Sequence, residues 1–263
     1  MKKQFSRSIS VIALFLILSS VALAAYIPEP TTMELPDMES LAYRGTPVID
    51  GDLSDWKGAV FIDFSDTSDL LRGADKWTGP EDISMRWAIL YDEEKLYFSA
   101  AVWDDILAEP DDLAQPWMGD TLFLYIDANS DEAMDSKPSL VLVDGVANVR
   151  DWNAGGAEMT EVEIAIVMEP ELGGAGRIFE MAIPHESIPN INPQEGAQIR
   201  ITPGYEEGNS PVAPDEENQV FLDWGGINPD EAGQLGTVKF GGAIAAVNPI
   251  GKLATRWGEI KNK

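Results

Sequence analysis

The 263-residue chain has no cysteine and a single histidine, His185. The first absence excludes disulfides, a thiol nucleophile and a lipid-modified cysteine. Together the two exclude a zinc site built from Cys and His, and leave His185 as the sole imidazole for a Ser-His-Asp relay. Its surroundings, Ile183-Pro-His-Glu-Ser-Ile188, read as a strand end entering a turn, a structural setting for a histidine. Cations are scarce as well: 18 Lys and Arg stand against 45 Asp and Glu, for a formal charge of −27. Such acidity repels nucleic acid and anionic membrane surfaces. It suits neutral or cationic ligands and divalent cations, and equally a solvated acidic surface that keeps the chain soluble.

Long apolar runs are also missing, with one exception. Ile9 to Leu23 follows Lys2, Lys3 and Arg7 and ends in Ala22-Leu23-Ala24, the small-x-small form that a signal peptidase accepts. The run is shorter than the ~20 residues of a spanning helix. The expected organisation is therefore a signal peptide at 1–24, a proline-bearing linker at 25–44, a domain at 45–241 and a basic tail at 242–263. The mature protein is expected to be secreted, periplasmic or at the cell surface, with no membrane contact after cleavage. The tail, from Lys252 through Arg256 to Lys263, fits a docking segment as well as a loose end.

No amphipathic helix and no solenoid or propeller repeat is visible, whereas short alternating runs recur between Gly, Pro and Asp-rich turns. Met85, Trp87, Ile89 and Tyr91 alternate along one arm of a hairpin, and Leu96 to Trp103 forms the other. Ser139 to Val143 and Val146 to Trp152 turn about Asp144-Gly145, a pair suited to a type I′ turn. Further strands are expected at Ala59 to Phe64, Val162 to Met168, Arg177 to Ile183, Ile199 to Thr202, Gln219 to Trp224 and Gly236 to Phe240, with Ser65 to Asp82 a surface loop. About ten such strands predict an all-β, antiparallel two-sheet sandwich of jelly-roll type.

One stretch combines core, aromatic surface and acidic loop. In Trp117-Met-Gly-Asp-Thr-Leu-Phe-Leu-Tyr-Ile-Asp127, Leu122, Leu124 and Ile126 form one row, and Thr121, Phe123 and Tyr125 the other. Beyond it, Asp127, Asn129, Asp131 and Asp135 carry oxygens at a spacing that lets a loop wrap a hard cation, Ca²⁺ in preference to Mg²⁺. The loop lacks the full twelve-residue pattern and its central Gly, so an Asx-rich turn competes with the metal reading.

The chain resembles the family 9 carbohydrate-binding module and its wider DOMON-like superfamily of β-sandwiches. The residues that carry the resemblance are Ile49-Asp-Gly-Asp-Leu-Ser-Asp-Trp56, Trp87 to Asp105, Trp117 to Asp127, Phe179-Glu-Met-Ala-Ile-Pro184, and Trp224 followed by Leu235-Gly-Thr-Val238. The resemblance implies a non-catalytic module that binds a polysaccharide or oligosaccharide, with calcium used structurally. It also implies a sugar slot between Trp117 and Trp224, since pyranose C–H faces pack on indole. Phe123 stands where sugar-binding members tend to carry an acid, so a flat Phe123/Tyr125 platform replaces a hydroxyl acceptor. Trp152 competes for the slot, and Arg150, on the same strand side, could bond hydroxyls. Two alternatives remain open. Haem-binding relatives imply electron transfer through Met and Lys ligands, although no spacing here marks a pair. A glycoside hydrolase would need paired carboxylates, for which Glu161, Glu163 and Glu180 are available.

Overall fold

The computed structural model describes residues 26–33, 35–208 and 219–243. Among these, fourteen strands join one continuous sheet. In chain order they are β1 (Glu39–Arg44), β2 (Ile62–Phe64), β3 (Leu70–Arg72), β4 (Ile83–Tyr91), β5 (Lys95–Asp104), β6 (Thr121–Asp127) and β7 (Pro138–Val143). They continue with β8 (Val146–Asp151), β9 (Ala157–Glu158), β10 (Glu163–Met168), β11 (Arg177–Pro184), β12 (Gln198–Gly208), β13 (Gln219–Asp223) and β14 (Thr237–Ala243). The hydrogen-bonded order is β10-β11-β5-β4-β1-β14-β12-β6-β7-β8-β9, with β2 added to β4, β13 to β12 and β3 to β13. The expected signal segment and all of the basic tail beyond residue 243 lie outside the described residues.

The all-β sandwich is as expected, and its sheet is mixed rather than purely antiparallel. β1 runs parallel to both β14 and β4 and lies where the sheet folds over from one layer to the other. Glu39–Arg44, read from sequence as the end of a linker, is therefore a central strand of the sheet. Ser40 and Ala42 are its inward residues, too small and too polar to show as an apolar row.

Period-two alternation sorts the side chains into three apolar clusters. Trp87, Ile89 and Tyr91 of β4, Phe98 and Val102 of β5, and Phe179 and Met181 of β11 face Leu122, Leu124 and Ile126 of β6 and Ile199, Ile201 and Tyr205 of β12. This is the main core between the layers. The opposite face of β4, β5 and β11 presents Ala88, Leu90, Tyr97, Ala101, Ile178 and Ala182, which Leu53, Trp56 and Phe61 cover. Two of the sequence motifs meet there. Glu180 of β11 is buried beneath the Asp50-to-Trp56 turn and accepts hydrogen bonds from the Asp50 N–H (3.0 Å), the Gly51 N–H and the Trp56 indole (2.6 Å). Burial raises the Glu180 pKa, and these donors oppose the rise.

The third cluster lies on the outer face of the other layer. Phe123 and Tyr125 of β6 and Phe221 of β13 pack there with Ala232 and Leu235, and with the partly buried Trp117, Met134, Trp152 and Ile227. Glycine at position 204 makes that surface continuous. Gly204 lies opposite Phe123 on one side and Asp223 on the other. A Cβ there would meet the Phe221 ring at 2.7 Å, so only a residue without a side chain lets Phe221 lean over β12 toward Phe123.

Candidate ligand-binding site

A cavity of about 300 Å³ opens on this third cluster, at the small end of the range of ~300–1,000 Å³ that is usual for ligand sites. Its floor is Phe123, Tyr125 and Phe221, and its walls include Trp117, Trp152, Leu71, Arg72, Asn228 and Asp230. Trp117 arrives on a 3-10 turn, Pro116–Met118, just ahead of β6. Its carbonyl accepts a hydrogen bond from the Gln219 side chain on β13. Trp152 follows β8, and its indole N–H donates to the Ser139 hydroxyl at 2.9 Å. The two indoles meet edge to face, with centroids 5.2 Å apart and planes at 74°. They form a corner, with ring surface available beside an apolar floor.

The polar groups at the rim are paired. Arg72 is engaged by Glu206 and Gln219. Lys137 donates to Asp230 at 2.6 Å and stands over the Tyr125 ring at 4.7 Å. Burial, followed by the nearby Asp230 and Asp223 carboxylates, raises the Tyr125 pKa, so its phenol stays neutral. Asp223, under the wall loop, accepts from the Ile227 N–H at 2.9 Å. Burial pushes its carboxyl up to about 7.

Residues 49–239 match the family model described as carbohydrate family 9 binding domain-like. The chain belongs to carbohydrate-binding module family 9. Solved structures agree on the fold. A family 9 module from Caldicellulosiruptor kristjanssonii in complex with cellotriose is 16% identical, with a TM-score of 0.53 over 81% of this chain and 99% of its own. The same description in complex with glucose gives 15% identity and a TM-score of 0.54, over 80% and 100%. No curated protein matches the chain.

Of the positions expected to bind sugar in this family 9 module, the structure brings Trp117, Phe123, Tyr125 and Trp152 together and leaves out two. Trp224 is in the main core, 6% exposed, with its ring edge-on to Trp87 at 4.9 Å. It follows Val220 and Leu222 on the inward side of β13, so it cannot form a slot with Trp117. Arg150 does not line the cavity; its guanidinium donates to the Gly156 carbonyl at 2.8 Å and steadies the turn behind Trp152. Leu71, Arg72, Lys137, Phe221 and Asp230 were missed. Phe221 alone had a local signal, because it alternates with Val220 and Leu222 and must face outward.

The acidic loop after β6 holds itself closed. Asp127 is buried, and its two oxygens accept the N–H groups of Asp131 (3.1 Å) and Glu132 (2.9 Å), with Arg200 at 4.0 Å. Asn129 accepts from the Asp131 N–H and Asp131 from the Ala133 N–H, while Asp135 accepts from the Ala128 N–H and the Asn190 amide. This is an Asx-turn arrangement beside a guanidinium. Among the described residues, carboxylates converge elsewhere: ligand atoms of Asp82, Asp105 and Glu207 all lie within 4.8 Å of one another. Burial, then repulsion from Asp82 and its acidic neighbours, pushes Glu207 up to about 9. Converging carboxylate oxygens are donors of the kind a hard cation takes. The acids weighed for hydrolysis do not line the cavity. Glu180 is closed over by Trp56, and Glu163 pairs with Lys95 on the opposite layer.

Proposed function

We propose that the chain is an exported, non-catalytic module that holds a neutral saccharide in the corner made by Trp117 and Trp152. The observation that carries this reading is the edge-to-face indole pair beside a cavity of about 300 Å³ whose rim offers Asn228, Lys137 and Asp230. Indole faces receive the apolar side of a pyranose, and the rim groups receive its hydroxyls. The cellotriose and glucose bound by the Caldicellulosiruptor modules make glucans the first ligands to try. The cationic start and apolar run of the sequence support export.

The test is retention on microcrystalline cellulose together with cellotriose titration. Trp117→Ala and Trp152→Ala are each expected to weaken binding about 10- to 100-fold, roughly 1.4–2.8 kcal/mol. Both rings are only partly buried, so the melting temperature should move by a few degrees at most. Full retention by both variants would rule the corner out as the site.

Calcium enters the same proposal as a structural ion, supported by the donor chemistry of Asp82, Asp105 and Glu207. A bound cation stabilises the folded state by mass action. Treatment with a chelator is then expected to lower the melting temperature by several degrees, reversibly on adding Ca²⁺, and an unmoved melting curve removes the ion from the account.

A further inference from the structure

The cavity contains one cation whose hydrogen-bonding capacity the protein leaves partly unused. An ammonium carries three N–H donors. Among the described residues, the single hydrogen-bond partner of the Lys137 ammonium is Asp230 Oδ1 at 2.6 Å. The rest of its environment is aromatic: the Tyr125 centroid lies at 4.7 Å and the Phe123 centroid at 5.9 Å. Ring faces hold a cation electrostatically without filling its donors. The Lys137 side chain is 23% exposed and that of Asp230 68%, so both remain reachable from solvent. Asp230 likewise has a second oxygen, Oδ2, with no hydrogen-bond partner among the described residues.

We infer that Lys137 and Asp230 together read a vicinal diol of the saccharide, Lys137 donating to one hydroxyl oxygen and Asp230 accepting from the neighbouring hydroxyl. This rests on the carbohydrate reading above and assigns the site's polar selectivity to two residues outside its aromatic corner. The ion pair sets a donor and an acceptor side by side, with Lys137 Nζ 2.6 Å from Asp230 Oδ1. Charge-assisted hydrogen bonds of this kind are the stronger sort.

A second consequence concerns the aromatic floor. Because the ammonium covers Tyr125 and Phe123, the apolar face of the sugar goes to Trp117 and Trp152. The floor rings then hold the lysine in place. Arg72 is placed differently, since Glu206 and Gln219 already engage its guanidinium.

The experiment is calorimetric titration of the full chain with cellotriose, xylotriose and cellotriose methylated at its hydroxyls. Lys137→Met keeps the stem over the rings and removes the donors; Asp230→Ala removes the acceptor at an exposed position. Each is expected to weaken binding of the best oligosaccharide at least tenfold, with the melting temperature within a few degrees of wild type. The double variant should lose little more than either alone, Lys137→Arg should recover part of the affinity, and the methylated sugar should bind wild type as weakly as the free sugar binds Lys137→Met. Wild-type affinity in Lys137→Met and Asp230→Ala, with Trp117→Ala impaired, would overturn the diol assignment and leave the carbohydrate reading standing. No binding of either unmodified oligosaccharide by the wild type would sink both.

Discussion

Trp224→Ala is expected to lower the unfolding free energy by about 3–5 kcal/mol, the usual cost of removing a large aromatic from a packed core. For a domain of this size that corresponds to a fall of roughly 10 °C in melting temperature. The indole is surrounded: Trp87 packs edge-on against one side, and a Cβ at Gly236 would collide with the six-membered ring. The backbone at Gly236 thus lies directly on Trp224, and neither neighbour can close the space that alanine would leave. The same substitution at Trp117 should cost far less, because Trp117 lies at the mouth of a cavity. Chemical denaturation of the two variants separates them. A Trp224→Ala protein as stable as wild type, with binding lost, would return that ring to the ligand site and displace Trp152 from it.

Trp224 also shows how far local pattern carries. The strands with clear alternation, β4, β5, β6 and β11, were legible because every second residue is apolar and most of these are large. The same period applied to Val220 and Leu222 puts Trp224 inside, and it conflicts with the family analogy that put it at the rim. β1 escaped notice because its inward positions are Ser40 and Ala42 and because parallel pairing to two distant strands leaves no hairpin signal. β3 is three residues inside a polar segment. β12 runs on to Gly208 through Pro203 and Gly204, residues that locally read as a break. At the site, Phe123 and Tyr125 follow from alternation on β6, while Trp117 sits on the turn just before that strand and Trp152 just after β8, two strands away. Lys137, Arg72 and Asp230 do not follow from alternation, because they reach the cavity from the lead into β7, the edge strand β3 and the loop after β13, whose positions depend on pairing between distant strands. The acidic loop admits two readings from sequence for a physical reason: the spacing that wraps a cation also closes an Asx turn on backbone N–H groups.

Arg177→Met is expected to cost about 3–5 kcal/mol, because it removes what is, among the described residues, the only cation from a buried anionic cluster that ties the two layers together. Arg177 of β11 is 1% exposed and pairs with Asp120, with Asp104 at 3.8 Å. Asp104 also accepts from the buried Tyr205 hydroxyl of β12 at 2.9 Å. Asp120 accepts from the backbone N–H groups of Ala108 (2.7 Å) and Gly208 (3.1 Å). One guanidinium thus joins the starts of β6 and β11 to the ends of β5 and β12. Methionine fills similar space but leaves two carboxylates in the interior without a counter-charge, and that uncompensated charge is the source of the cost. Pairing Arg177→Met with Asp120→Asn removes one of them and should recover part of the loss, a coupling that a double-mutant cycle reads directly. The network also bears on the ligand site, since Asp120 follows Trp117 by three residues and fixes the segment that delivers the indole. Cellotriose affinity in Arg177→Met should therefore fall together with stability, whereas in Trp117→Ala it falls alone. Unchanged urea midpoints in Arg177→Met would mean that the cluster is hydrated and that the layers are held by apolar packing without it.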